Sequence, residues 1–167
     1  MDTEVRPVRP DEHGEAGRVT ALAYREFASP GDSGWEEYLA EIADVSGRVD
    51  RTEVYVAIRD GAILGCVTLE LDRTVGDDDV ELPPDMSCIR MLGVDPSARG
   101  QGIGRALVER CIDRSREAGK RVVTLRTTTP MRVARRLYES MGFQADPERD
   151  VVYDSGFRLL AYRLPLT

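Results

Sequence analysis

The chain has 167 residues, 41% of them hydrophobic and 32% charged, the composition of an ordinary globular protein. At this size a chain buries roughly two-thirds of the surface its unfolded form exposes, so a core forms without covalent staples. A formal net charge of −7 argues against a general nucleic-acid binder, and no apolar run reaches the ~20 residues that a membrane-spanning helix needs.

The N-terminus, Met1 to Arg6, is charged and lacks the apolar stretch of a secretory signal, so a cytoplasmic protein is expected. Glu4 to Val8 reads as a short first strand, held to an edge or strand end by Pro7 and Pro10. Asp11 is placed to cap a helix running to about Phe27, on which Val19, Leu22, Ala23 and Phe27 lie near helical spacing. His13, the only histidine, falls at the start of that helix and is expected at the surface. Ser29 to Gly34 is a break. A second helical stretch, Trp35 to Val45, puts Trp35, Tyr38, Leu39 and Ile42 on one face.

The period then changes. Thr52 to Ile58 and Ala62 to Leu71 are strand-like and flank Asp60-Gly61, a strong hairpin signal because that turn needs positive φ. Asp77-Asp78-Asp79 to Pro83-Pro84 is a polar loop, and Met86 to Val94 is a third central strand. Gly102 to Ala118 reads as a helix stopped by Gly119, and Val122 to Thr127 as a strand. Pro130 opens a helix to Met141, with Gly142 as its stop. Phe143 to Ala145 and Leu159 to Leu164 are the last strands. No repeat or linker interrupts residues 1–167, so one mixed α/β (α+β) domain is expected. Cys66, Cys88 and Cys111 are odd in number and widely spaced, with no C-x-x-C pair. They support neither a disulfide framework nor a zinc site and are expected as small buried hydrophobes.

The most informative segment runs from Val94 to Leu107. It follows a strand, opens a helix, and carries glycine at Gly100, Gly102 and Gly104. Without side chains, backbone N–H groups can approach a ligand closely, and the helix N-terminus adds positive partial charge. Arg99 and Arg105 flank the turn. The pattern suits a phosphate or pyrophosphate. It is not the dinucleotide fingerprint, because Arg105 stands where the third glycine belongs and no acidic residue ends the next strand, at Leu125-Arg126-Thr127. It is not a Walker loop either: the only Gly-Lys pair, Gly119-Lys120, precedes Arg121 at the wrong end of a helix.

Arg99-Gly100-Gln101-Gly102-Ile103-Gly104 resembles the Q/R-x-x-G-x-G/A signature of the GCN5-related N-acetyltransferase (GNAT) family, and Leu92-Gly93-Val94-Asp95-Pro96 resembles its L-x-V-x-P strand end. Ala134 to Phe143 is similar to its A-x-x-L-Y-E-x-x-G-F helix. The resemblance covers about Thr52 to Phe143 and implies a GNAT-like fold, a central twisted mixed sheet splayed at a cofactor cleft with helices on both faces. It implies acetyl-CoA as donor and an amine as acceptor: a small molecule, a protein N-terminus or a lysine. Arg99, Gly100, Gln101, Gly102, Ile103, Gly104 and Arg105 would hold the pyrophosphate, and Leu92, Gly93 and Val94 the pantetheine arm. Tyr138 would protonate the leaving thiolate, and a backbone N–H, that of Leu92, would stabilise the oxyanion. The asparagine that many members carry seven residues before the tyrosine is Met131 here, and the usual strand glutamate is replaced among Cys88, Ile89 and Arg90.

The general base is therefore open, with Glu70, Asp72 and Asp85 as candidates. An acyl-carrying role for Cys88 is disfavoured, since nothing near it in sequence would activate the thiol. The acceptor pocket is expected from Glu26 to Val45, Thr74 to Asp85 and Asp146 to Gly156, with Tyr24, Trp35 and Tyr38 as lining aromatics. A non-catalytic acyl-CoA-binding module of the same fold is the alternative. No nucleic-acid or membrane partner is expected, and a homodimer is left open.

Overall fold

The computed structural model describes residues 2–27, 33–71, 82–154 and 156–166. Ser29 to Asp32, Asp72 and the acidic run Asp77 to Asp79 lie outside them. The strands are β1 (Glu4–Pro7), β2 (Glu53–Arg59), β3 (Ala62–Glu70), β4 (Met86–Val94), β5 (Val122–Thr127), β6 (Gln144–Ala145), β7 (Val151–Val152) and β8 (Arg158–Pro165). The helices are α1 (His13–Arg25), α2 (Ser33–Ala43), α3 (Ile103–Glu117) and α4 (Arg132–Ser140).

One twisted sheet runs in the order β1-β2-β3-β4-β5-β8-β6, with β7 paired to β8. Among the described residues only β4 and β5 pair in parallel; the other pairs are antiparallel. A parallel pair needs a crossover, and α3 supplies it. Asp60 (φ 52°) and Gly61 (φ 80°) make the tight β2–β3 turn with the positive φ its sequence demands.

Strand alternation sends side chains to two cores. Val54, Val56 and Cys66 pack under α1 with Ala16, Val19 and Val45. Tyr55, Ala57, Val67 and Leu69 pack on the opposite face against Ile103, Leu107, Val108 and Cys111 of α3. Two buried hydroxyls in the core satisfy each other: Ser87 Oγ lies 2.7 Å from Ser115 Oγ, which donates to the Cys111 carbonyl at 2.7 Å. Cys66, Cys88 and Cys111 are all buried.

Several sequence expectations are corrected. α1 starts at His13, not after Asp11, because Pro10–Glu12 forms a 3-10 turn. Glu12, not Asp11, secures it, accepting from the Arg9 amide at 2.9 Å. α4 begins at Arg132, two residues past Pro130, whose carbonyl accepts from the Arg132 amide at 2.8 Å. β7 is an additional strand of two residues. α2 starts two residues earlier than expected and ends at Ala43, although Val45 beyond it stays buried.

Candidate functional site

β4 and β5 are paired only from Met86↔Val122 to Ile89↔Leu125. Beyond that point the two strands part. The cause lies in β4 itself. Thr68 of β3 pairs with Arg90, and Cys66 pairs with Gly93, so Met91 and Leu92 together face Val67. Such a bulge bends its strand and increases the local twist. Met91 adopts φ 53°, rare for a residue with a side chain and costing on the order of 1–3 kcal/mol. Its side chain is anchored between Ala21 and Ile42.

At the end of β4, Asp95 Oδ1 accepts from the Ser97 amide at 2.9 Å and hydroxyl at 2.8 Å, which shapes the turn. Gly100 (φ 77°) and Gly102 (φ 82°) then bring the chain into α3 through left-handed backbone that a side chain would strain. A Cβ built on either would meet nothing within 4 Å, so both face open space. Gly102 is the N-cap and offers no side-chain acceptor. The first turn of α3 thus has no side-chain cap from its N-cap residue, and its amides carry the positive end of the helix dipole.

These elements border a cleft of about 500 Å³. Leu92, Gly93 and Val94 form one wall, the turn and the start of α3 a second, and Met131, Ala134 and Leu137 of the α4 segment a third. Tyr24 and Phe27, at the end of α1, close one side. Arg99, Arg105, Arg126 and Arg132 face it against Glu26, a local excess of positive charge on an acidic chain. Arg99 pairs with Glu26 and donates to the Ala23 carbonyl at 3.3 Å, tying the turn to α1. Arg105 donates to Ser140 Oγ at 2.7 Å, tying α3 to α4.

Tyr138 lines the cleft yet is only 6% exposed. Its ring packs against Phe143 and Tyr162, with centroids 5.8 and 6.4 Å away. Burial pushes its phenol pKa up, with nearby Cys111 and Cys88 adding to the shift. Tyr24 is also raised by burial, and its ring meets Tyr38 edge-on at 6.3 Å. Tyr38 in turn meets Trp35 at 5.8 Å, so the aromatics expected at the acceptor side form one cluster.

Every position named for the cofactor lines this cleft except Gln101, whose side chain accepts from Arg59 instead. Met131 lines it too, its sulfur 3.5 Å from Thr127 Oγ1. Of the carboxylate candidates, Asp72 lies outside the described residues, and Glu70 and Asp85 do not line it. Glu70 is buried, with Oε1 3.4 Å from Arg90 Nη1, and borders a separate, smaller hollow. Asp85 is exposed at the far end of β4. Cys88 is buried with Leu82 and Met86. His13 lies partly exposed at the start of α1. Sequence reasoning missed Arg126 and Arg132. Their signal was position: both flank the end of the strand that pairs in parallel with β4, where ligands collect in α/β sheets.

A model of the Acetyltransferase (GNAT) family matches residues 18–143. A mycothiol acetyltransferase of Sanguibacter keddieii is 36% identical over 144 residues, 83% of this chain and 42% of that relative. The chain thus spans less than half the length of this curated relative. An acetyltransferase of the GNAT family from Staphylococcus aureus Mu50 superposes with a TM-score of 0.72 at 19% identity, covering 99% of this chain and 100% of the other. A GNAT-family acetyltransferase from Brucella melitensis, solved in complex with acetyl-CoA, superposes with a TM-score of 0.67 at 22% identity, covering 99% and 89%. Among the described residues no helix is long and apolar enough to cross a membrane.

Proposed function

We propose, on the premise that this chain belongs to the GNAT family of acetyltransferases, that it moves an acetyl group from acetyl-CoA to an amine. The observation that carries the proposal is the parting of β4 from β5 beside a glycine turn whose amides have no side-chain cap, with Tyr138 on the wall between.

The open faces of Gly100 and Gly102 leave room for a pyrophosphate, and the amides from Gly102 to Arg105 take its oxygens. Arg99, Arg105, Arg126 and Arg132 add charge on the same side. The edge of β4 beyond its pairing with β5, from Met91 to Val94, offers backbone groups to the amide-bearing pantetheine arm. Leu92 sits in the bulge, and its N–H donates to the thioester oxygen as negative charge develops there. The amine nitrogen attacks the carbonyl carbon, the C–S bond breaks, and Tyr138 gives its phenolic proton to the sulfur. Burial keeps that proton on Tyr138 at neutral pH. Glu26, the one carboxylate on the cleft wall among the described residues, is engaged by Arg99. The attacking amine therefore loses its proton to water at the open side of the cleft.

Tyr138→Phe removes one oxygen and keeps the ring packing. Steady-state thiol release from acetyl-CoA with an amine panel should show kcat lowered about 100-fold, with the KM for acetyl-CoA within about twofold of the parent. A variant with unchanged kcat would remove Tyr138 from the chemistry. A parent that turns over no amine would overturn the proposal.

A further inference from the structure

On the α2 side of the sheet lies a second hollow of about 90 Å³. Arg48, Thr68, Arg90 and Met91 line it, together with Glu70. Arg48 follows α2 and is only 6% exposed. Its Nε donates to Thr68 Oγ1 at 3.0 Å, and its Nη1 to the carbonyls of Glu41 (3.1 Å) and Asp44 (3.2 Å), closing the C-terminal end of α2. Its Nη2 is buried and has no hydrogen-bond partner among the described residues. A buried guanidinium N–H without an acceptor is costly, and a group that brings lone pairs removes that cost.

Arg90 stands opposite Thr68 across the β3–β4 ladder, which puts both guanidiniums on one face. Glu41, Asp44 and Glu70 line the same hollow and balance Arg48, Arg51 and Arg90. Asp44 Oδ1 accepts from Ser46 and the Gly47 amide, both at 3.1 Å, and Glu70 accepts from Arg90. The atom still lacking a partner is a donor, so the hollow calls for an acceptor. It also adjoins the cleft. Met91 borders the hollow and Leu92 the cleft, while Tyr24 packs on Met91 and faces the cleft. Arg90 and Leu92 are two residues apart, about 7 Å along a strand.

We propose that this hollow receives the carboxylate of the acceptor, and that the acceptor is a free amino acid. Arg48 Nη2 and Arg90 hold the carboxylate, and the amine is presented across the β4 bulge to the thioester at Leu92. The inference rests on the acetyl-transfer reading above.

The test uses the full chain with acetyl-CoA and the standard amino acids, each offered as the free acid and as its carboxamide, alongside simple alkylamines. Thiol release should give a best acceptor that is a free acid, with kcat/KM about tenfold or more above its carboxamide. In Arg90→Gln that ratio should collapse toward one through the KM of the acid, with the KM of acetyl-CoA unchanged. Arg48→Lys, which keeps charge but loses the planar fork, should raise the same KM; a thermal melt identifies any loss of fold, and Arg90→Gln stands by itself if Arg48→Lys unfolds. Carboxamides or alkylamines used as well as acids would overturn the inference and leave acetyl transfer intact, as would an unchanged ratio in Arg90→Gln. Failure to bind acetyl-CoA, read by calorimetry, would overturn acetyl transfer and this inference with it.

Discussion

Glu12 holds the start of α1 by two routes. Its carboxylate takes both Nη atoms of Arg6, at 2.8 and 2.7 Å, and accepts from the Arg9 amide at 2.9 Å. The Arg6 bond, with the Arg9 amide in support, lowers its pKa from 4.5 to about 2, against an opposing effect of burial. A carboxylate whose pKa falls on folding stabilises the fold above its unfolded pKa. That contribution fades as the pH drops from 4.5 toward about 2. Glu12→Gln should therefore be less stable than the parent at pH 7, and the gap should narrow below pH 4.5 and close near pH 2. Urea unfolding at a series of pH values reads this directly; a gap constant from neutral pH to pH 2.5 would rule it out. From sequence alone Asp11 was the expected cap. The choice was made by Arg6, which β1 brings to Glu12.

Among the elements, α3 carries the most weight, since it fills one core and ends in the glycine turn. Ile103, Leu107, Val108 and Cys111 fall on one stripe and are all within 1% of complete burial. Leu107→Ala should cost about 2–5 kcal/mol in urea unfolding, because its neighbours cannot collapse fully into the space. A loss under about 1 kcal/mol would mean that α3 packs less tightly than described. The bounds of α3 were legible because Gly102 and Gly119 bracket a clean helical period. α4 was less so: Pro130 suits a first helical position, but here it lies in the turn ahead of the helix. β7 was invisible, since two residues carry no period. The β2–β3 hairpin was legible from Asp60-Gly61, where local chemistry alone decides the turn.

At the scale of the whole molecule, the cleft exists because β4 leaves β5, and β4 leaves because it bulges at Met91. No local signal marks that methionine. Its side chain packs with Ala21 and Ile42, which come from distant segments. The splay was expected from the family resemblance, not from the residues that cause it. The glycine turn and Tyr138 were legible because each sits in a contiguous motif. The Arg48–Arg90 hollow was not, because its lining comes from α2, the segment after it, β3 and β4. The most direct test of the cleft is calorimetric titration of acetyl-CoA into the parent and into Gly102→Glu. The open space at Gly102 lets the variant fold with modest backbone strain, while its carboxylate occupies the anion site at the helix start. The cleft assignment predicts binding by the parent and an affinity lower by about 100-fold or more in a variant that still melts cooperatively. Equal affinities in the two proteins would contradict it.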